Sequence, residues 1–188
     1  MIKLSISGIV RDTTVDGTGF RTSVYAAGCT HQCAGCHNPH SWDIANGKSY
    51  SVDELLVIIK EDEFSNVTFS GGDPLMQVDG FTELAKRIKK ETSKNIWCYT
   101  GFTYEQILKS YKLSQILPLI DVLVDGRYID ALRNTDLQFR GSSNQRIIDV
   151  QKTLSEDRVI IWTENRIFIK QQILNITNTK DLRAGVFG

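Results

Sequence analysis

Residues 28–39 have the sequence Gly-Cys-Thr-His-Gln-Cys-Ala-Gly-Cys-His-Asn-Pro and contain three of the four cysteines of the chain. Cys29, Cys33 and Cys36 follow the spacing C-x-x-x-C-x-x-C, so three thiolates can surround one side of an iron–sulfur cluster. Fully ligated clusters use four cysteines, but the fourth, Cys98, lies far away in an apolar segment. A 4Fe–4S cluster with three protein ligands keeps one iron open, and an open position distinguishes catalytic from structural metal sites. The stretch therefore predicts a catalytic iron–sulfur site.

A structural zinc site is the alternative interpretation of the same stretch. His31, His37 or His40 would then complete a Cys₃His ligand set. Zinc ligands more often come as two separated pairs, however, and His37 adjoins Cys36, which makes joint ligation of one ion awkward. Cys98 is interpreted more simply as a small buried hydrophobic residue.

The composition is that of one soluble globular domain, with 188 residues that are 41% hydrophobic and 23% charged. Lys plus Arg and Asp plus Glu number 22 each, so we expect no binding of nucleic acid or of a membrane surface through a global charge excess. No apolar run approaches the roughly 18 residues of a membrane span, and the N-terminus lacks a signal-peptide pattern. Closely spaced cysteines without a disulfide framework also suit a cytoplasmic protein.

Apolar segments alternate with amphipathic ones along the chain. We predict strands at 2–10, 22–27, 66–70, 96–99, 120–124, 146–150 and 159–162, and helices at about 52–63, 78–92 and 104–111. This alternation favours parallel βαβ units, but a closed eight-unit barrel needs about 250 residues. We therefore expect an α/β fold that forms a partial, laterally open (β/α) barrel, with its site at the carboxyl ends of the strands. A single domain spans 1–188, with a core of about 1–152 and a candidate C-terminal appendage at 153–188.

A second motif, Gly-Gly-Asp-Pro at 71–74, follows the predicted strand 66–70. Alone it would be a turn that ends a strand. Two glycines also allow a ligand to approach the backbone closely, and carbonyl groups at a strand end can accept hydrogen bonds from an ammonium group.

Together, the cysteine triplet and the Gly-Gly-Asp-Pro motif resemble the radical S-adenosylmethionine (SAM) superfamily, so the expected open barrel is of the radical SAM type. Within it the chain is most similar to the activating proteins of anaerobic (class III) ribonucleotide reductase. In the similar segment 16–21, Thr18 replaces the usual proline. Four further segments carry this resemblance, namely 38–42, 97–101, 121–127 and 140–146.

The resemblance implies a cofactor set of one 4Fe–4S cluster and SAM, which would chelate the open iron. Cys29, Cys33 and Cys36 would be the catalytic, metal-ligating residues. The implied SAM contacts are Gly35, Cys36 and His37 along the adenine, Gly71, Gly72 and Asp73 at the methionyl amine, and Asp125 and Arg127 in place of a D-x-K motif that reaches SAM in a related activase. For Asp125, a strand-ending Asp-Gly turn is the alternative.

The implied activity is that of a radical SAM oxidoreductase. It would cleave SAM reductively and abstract hydrogen from a glycine Cα in the catalytic subunit of anaerobic ribonucleotide reductase. A low-potential electron donor such as flavodoxin would be the second partner. The alternatives are an activator of another glycyl-radical enzyme, a small-molecule radical SAM enzyme, and a non-enzymatic iron–sulfur electron carrier or zinc-stabilised binding module. The sequence assigns no role to residues 141–145 or to those after about 152.

Overall fold

The computed structural model describes residues 2–164. The strands are β1 (Lys3–Thr13), β2 (Arg21–Ala26), β3 (Lys48–Ser51), β4 (Asn66–Gly71), β5 (Ile96–Tyr99), β6 (Val122–Asp125) and β7 (Arg146–Asp149). The helices are α1 (Val52–Glu61), α2 (Val78–Glu91), α3 (Tyr104–Leu108), α4 (Tyr111–Ser114) and α5 (Val150–Glu156). Short 3₁₀ turns cover Pro39–Trp42, Ile44–Asn46, Pro74–Gln77, Leu117–Leu119 and Asp130–Leu132. Within residues 2–164, no helix is both long and apolar enough to cross a bilayer.

The strands form one sheet in the order β3-β1-β2-β4-β5-β6-β7. Because β3 and β7 lie at opposite edges, the sheet is open, which confirms the predicted open α/β fold. Parallel pairing is limited to β2, β4, β5 and β6, whereas β1, β3 and β7 pair antiparallel with their neighbours. The parallel βαβ units that the sequence favoured therefore occupy the centre of the sheet, and both edges are antiparallel. Residues 14–20 connect β1 to β2, and this loop is shorter than the dozen or more residues of a parallel crossover.

Three elements differ from the sequence prediction. Strand β3, with the sequence Lys-Ser-Tyr-Ser, is too polar to have been recognised. The helix predicted at 104–111 divides into α3 and α4, because Ser110 accepts a hydrogen bond from the Leu113 amide and so begins a new helix. The strand predicted at 159–162 contributes only an isolated bridge between Ile161 and Ile148.

The first part of the candidate appendage packs against the sheet. The Trp162 amide donates to the Ile147 carbonyl over 2.8 Å, and the Trp162 and Trp97 rings meet edge to face at 5.2 Å. Residues 153–162 thus belong to the same body as the core. The remainder of the appendage, from 165 onward, lies outside the described residues, so the domain boundary stays a prediction.

The two faces of the sheet differ in character because side chains alternate across each strand. Val24, Phe69 and Cys98 are fully buried in the main apolar core with residues of α1 and α2. Cys98 is thus the buried hydrophobic residue that the sequence predicted. The opposite face carries polar side chains such as Ser23 and Thr68. This polar face of the sheet is where a ligand can lie.

One guanidinium group joins β6, β7 and α3. Arg146 Nε donates to Asp125 Oδ1 over 3.0 Å, and its Nη atoms donate to the two Glu105 carboxylate oxygens over 2.9 and 2.8 Å. Asp125 is only 1% exposed and also accepts a hydrogen bond from the Tyr104 amide at the start of α3. The buried carboxylate therefore depends on Arg146 for its countercharge.

Arg146→Gln is expected to lower the free energy of unfolding by roughly 2–4 kcal/mol, because it leaves the Asp125 carboxylate buried without its ion pair. Lys152→Gln is the matched control, since it breaks an exposed pair with Asp149 and should cost less than about 1 kcal/mol. Urea denaturation of both variants measures the difference. Equal losses would show that the Asp125 pair is not a major contributor to stability.

The same ion pair predicts a response to acid. The hydrogen bond from Arg146 lowers the pKa of Glu105 to about 2. Because the pKa of Glu105 is depressed in the folded state, its contribution to stability is present above the ordinary glutamate pKa of about 4.3. That contribution is lost as the pH falls from there toward 2. We expect the difference in melting temperature between wild type and Glu105→Gln to shrink over this range. A difference independent of pH would contradict the assignment.

Candidate functional site

A cavity of about 400 Å³ lies at the carboxyl ends of the central strands. We call it the cysteine cavity, because Cys29, Cys33 and Cys36 all line it. Residues 70–72 at the end of β4 and residues 99–101 at the end of β5 form the adjoining wall. The site therefore lies at the predicted edge of the sheet.

The cysteine loop, which we define as residues 28–39, begins in close contact with the turn that follows it. The Gly28 amide donates to the Ser41 carbonyl over 2.8 Å, and the Cys29 amide donates to the Trp42 carbonyl over 3.0 Å. At the other end of the loop, Gly35 has a φ of +73°, and a Cβ there would lie 2.6 Å from an Asp130 carboxylate oxygen. A side chain at position 35 would therefore both strain the backbone and push the loop away from Asp130.

The three cysteines are free thiols, and each is partly buried. Burial raises the pKa of the Cys29 thiol, so the proton must be displaced when a metal binds. Among residues 2–164, no three His, Cys, Asp or Glu side chains converge closely enough to hold a single metal ion. Three thiols spread around one cavity can instead each meet a different corner of a larger cluster. Their donor chemistry and placement fit a 4Fe–4S cluster better than a zinc ion.

The three histidines considered as zinc ligands have other contacts. His37 packs edge-on against Tyr128 with ring centroids 5.9 Å apart. His40 Nδ1 lies 3.5 Å from the Asn46 side-chain nitrogen. His31 contacts Asp73, as described below.

The Gly-Gly pair packs against the backbone of the cysteine loop. The Gly72 amide donates to the Ala26 carbonyl over 2.8 Å, and the Asp73 amide donates to the Gly28 carbonyl over 2.9 Å. A Cβ at Gly72 would lie 2.6 Å from that Gly28 oxygen. Gly71 and Gly72 also line the cysteine cavity. Here the close approach that requires glycine is therefore to the protein's own backbone.

Asp73 lies behind the cavity wall and is completely buried. Its carboxylate accepts hydrogen bonds from the Leu75 amide over 2.9 Å, the Gly101 amide over 3.0 Å and the Thr100 hydroxyl over 2.9–3.0 Å. The fourth contact is with His31 Nε2 at 2.8 Å, and an ionised carboxylate can only accept, so this nitrogen donates. Asp73 does not line the cysteine cavity. It holds the cysteine loop to the ends of β4 and β5.

His31 is the site residue whose role sequence reasoning missed. Its ring meets Phe102 edge to face at 4.7 Å, and a Cβ at Gly101 would lie 2.3 Å from the ring. The similarity of segment 97–101 to known activators marked this region without giving its role. The structure gives one, because Thr100 and Gly101 hold Asp73, and Gly101 leaves room for His31.

The other predicted SAM contacts divide into two groups. Cys36 and His37 line the cysteine cavity, and Gly35 lines a second cavity beside it. Asp125 and Arg127 line neither. Asp125 is bonded to Arg146, and Arg127 is exposed, so a contact of either residue with SAM stays a prediction.

Segment 16–21 is anchored by Arg21, which is fully buried. Its guanidinium donates to the Thr68 hydroxyl over 2.5 Å and to the Thr18 carbonyl over 3.1 Å, and it lies 5.3 Å from the Trp97 ring centroid. Burial lowers its pKa to about 10, so the group stays charged at neutral pH. Asp16, which lies earlier in the same loop, lines the cysteine cavity. The arginine thus fixes the loop that forms one side of this cavity.

Segment 140–146 is held by the Gln145 side chain. Gln145 Oε1 accepts from the Gly141 amide over 3.0 Å and the Ser142 amide over 3.2 Å, while Nε2 donates to the Gly126 carbonyl over 3.0 Å. Asn144 donates to the Arg127 carbonyl over 2.8 Å. The polar loop therefore fixes the chain that follows β6.

Comparison with known proteins gives the class first. Residues 15–148 match the family model described as a 4Fe-4S single cluster domain, which agrees with the three thiols in one cavity. Among solved structures, QueE from Escherichia coli aligns with 54% of this chain and 53% of its own, at 18% identity and a TM-score of 0.47.

The relatives then give the particular family. The chain is 36% identical over 141 residues to the anaerobic ribonucleoside-triphosphate reductase-activating protein of Vibrio cholerae, covering 71% of this chain and 90% of the relative. It is 33% identical over 139 residues to the protein of the same name from Escherichia coli, covering 70% and 89%. This chain therefore belongs to the family of anaerobic ribonucleoside-triphosphate reductase-activating proteins. The matched family model describes a single 4Fe–4S cluster as its cofactor.

Asp73→Asn is expected to reduce the iron bound after anaerobic reconstitution severalfold. The new side-chain NH₂ group would face one of the four donors that now bond to Asp73. A buried donor that loses its acceptor costs roughly 1–3 kcal/mol of stability. Iron and acid-labile sulfide per protein measure the effect, with His40→Gln as the control outside the Asp73 contacts. Full iron content combined with weakened SAM binding would instead place Asp73 in direct contact with SAM.

Proposed function

We propose that this protein activates anaerobic ribonucleoside-triphosphate reductase as a radical SAM oxidoreductase that produces a glycyl radical in the reductase. The observation that carries the proposal is the set of three free cysteines around one cavity, in a chain of the activating-protein family. The fold of this chain suits a protein substrate, because an open sheet leaves a side through which a loop of another protein can enter. Such a loop must rearrange and become ordered as it docks.

We assign Cys29, Cys33 and Cys36 as ligands of the cluster, with one iron left for the amino and carboxylate groups of SAM. Cys36, His37, Gly71 and Gly72 would contact SAM, because all of them line the cysteine cavity. Gly35 would support the adenine side. When bound together, the reduced cluster and SAM supply a 5′-deoxyadenosyl radical that can remove a hydrogen atom from a glycine Cα.

The residues around the cysteine cavity position and shield these groups. Asp73 and His31 hold the cysteine loop against the sheet, and Arg21 holds the loop that carries Asp16. Leu137 and Phe139 supply an apolar part of the wall, which reduces access of water to a reactive species. The Tyr99 hydroxyl is buried at this cavity without a hydrogen-bond partner among the described residues, so it is free to bind an entering group.

The remaining partners are proposed on chemical grounds. A cluster that reduces a sulfonium must work near the low end of the range of about −700 to +450 mV, which requires a low-potential donor such as flavodoxin. Free, closely spaced thiols stay reduced in the cytoplasm. We propose this location, a single radical SAM domain over residues 1–188, and no role in nucleic-acid or membrane binding.

The test is to combine reconstituted protein, reductant, SAM and the anaerobic reductase of the same host. We expect a glycyl radical doublet in freeze-quenched EPR spectra, together with 5′-deoxyadenosine. Cys29→Ala, Cys33→Ala and Cys36→Ala should abolish both signals, because each removes a cluster ligand. Cys98→Ala is the matched control and should keep both, since Cys98 is fully buried in the apolar core.

Two outcomes would contradict the proposal. Deoxyadenosine without a doublet would keep a radical SAM enzyme but exclude this reductase as the partner. Stoichiometric zinc in anaerobically prepared protein, with no iron or sulfide, would exclude an iron–sulfur cluster and therefore any radical SAM activity.

A further inference from the structure

A second cavity of about 370 Å³ lies beside the cysteine loop. We call it the arginine cavity, because Arg133 and Arg140 both line it. Gly35 and His37 of the cysteine loop also line it. Arg140 and His37 also line the cysteine cavity, so the two cavities share a wall. A group bound here would therefore lie next to the cluster.

The two arginines are held on a preformed flap, residues 129–145. Its two arms are joined by backbone hydrogen bonds, from the Ser143 amide to the Leu132 carbonyl over 2.9 Å and from the Asn134 amide to the Gly141 carbonyl over 3.3 Å. An isolated bridge pairs Arg133 with Ser142. Because the backbone is already fixed, little further ordering is needed when a ligand binds between the arms.

The two arginines of the arginine cavity have no acidic partner within its described lining. No Asp or Glu is among the described residues that line it. The Arg133 guanidinium has neither a hydrogen bond nor an ion pair within residues 2–164. Arg140 Nη1 donates to the Gln145 carbonyl over 2.7 Å, but Arg140 Nε is buried without an acceptor. The neighbouring Asp130 carboxylate already accepts from the Tyr128 hydroxyl over 2.8 Å.

The buried Arg140 Nε can gain an acceptor when a group binds beside it. Two guanidinium groups at one cavity suit a planar anion with two oxygens, and such charge-assisted contacts are about twice as strong as neutral ones. The surroundings favour a protein segment over a free anion. Ile129 and Leu132 of the flap are each 42% exposed, and apolar side chains next to arginine are typical of protein interfaces.

We propose that the arginine cavity binds an aspartate or glutamate side chain of the protein substrate, from the segment that brings its target glycine to the cysteine cavity. This inference rests on the proposed function. The shared wall of the two cavities means that one entering segment can place its carboxylate between Arg133 and Arg140 while its neighbouring residues reach the cluster. The flap thus selects the substrate segment and fixes its register.

Arg133→Gln and Arg140→Gln are expected to raise the KM for the reductase about tenfold each, which corresponds to the loss of one charge-assisted contact. The KM of the wild type should rise with salt concentration, and that of the variants should rise less. Arg133→Lys keeps the charge and should restore part of the affinity. Arg158→Gln is the control, because Arg158 is exposed, paired with Glu156 and outside both cavities.

Three further measurements decide between this proposal and its alternatives. SAM affinity of Arg133→Gln should stay within about twofold of the wild type. Weakened SAM binding with an unchanged reductase KM would mean that the cavity takes the carboxylate of SAM and would overturn the proposal. Thermal stabilisation by inorganic phosphate that is lost in Arg133→Gln, again with an unchanged reductase KM, would mean a site for small anions. A wild-type protein that forms deoxyadenosine but no glycyl radical would contradict the proposed function itself.

Discussion

The buried carboxylate of Asp73 is the interaction on which the site depends. It lies at the end of β4, accepts from Thr100 and Gly101 at the end of β5, and contacts His31 in the cysteine loop. A fully buried carboxylate is tolerated only when its oxygens are hydrogen-bonded. This requirement forces two strand ends and the cysteine loop into one arrangement. The thiols of that loop are thereby placed on the wall of the cavity instead of on a free surface loop.

The other walls of the cavity are also fixed by the hydrogen bonds of single side chains. Loops at strand ends have no ladder of backbone hydrogen bonds, so their positions must be fixed by side chains. Arg21 fixes the loop between β1 and β2, and Gln145 fixes the chain after β6. Arg146 secures β7 and α3 to the end of β6. Each is a long side chain with several donors or acceptors, and each joins segments that are distant in sequence.

Local patterns were sufficient for much of the fold. Apolar runs located the central strands, and the amphipathic pattern at about 52–63 located α1. The cysteine spacing and the Gly-Gly pair also located the cavity. Strand direction at the edges could not be inferred, because it depends on where each connection leaves and re-enters the sheet. The hydrogen-bond partners of His31, Asp73 and Asp125 could not be inferred from the sequence for a related reason. Motif spacing does not reveal whether a carboxylate points into a cavity or is bonded behind its wall.

The length of the Asp73 side chain bears on how SAM is held. Its carboxylate is only one methylene from the backbone and is already surrounded by four donors, so it has little remaining capacity to accept from an ammonium group. Residues 70–72, which precede Asp73 in the chain, line the cysteine cavity themselves. A ligand in this cavity can therefore reach their backbone. We therefore propose that Asp73 supports the wall of the cavity, while the backbone of residues 70–72 faces the methionyl end of SAM.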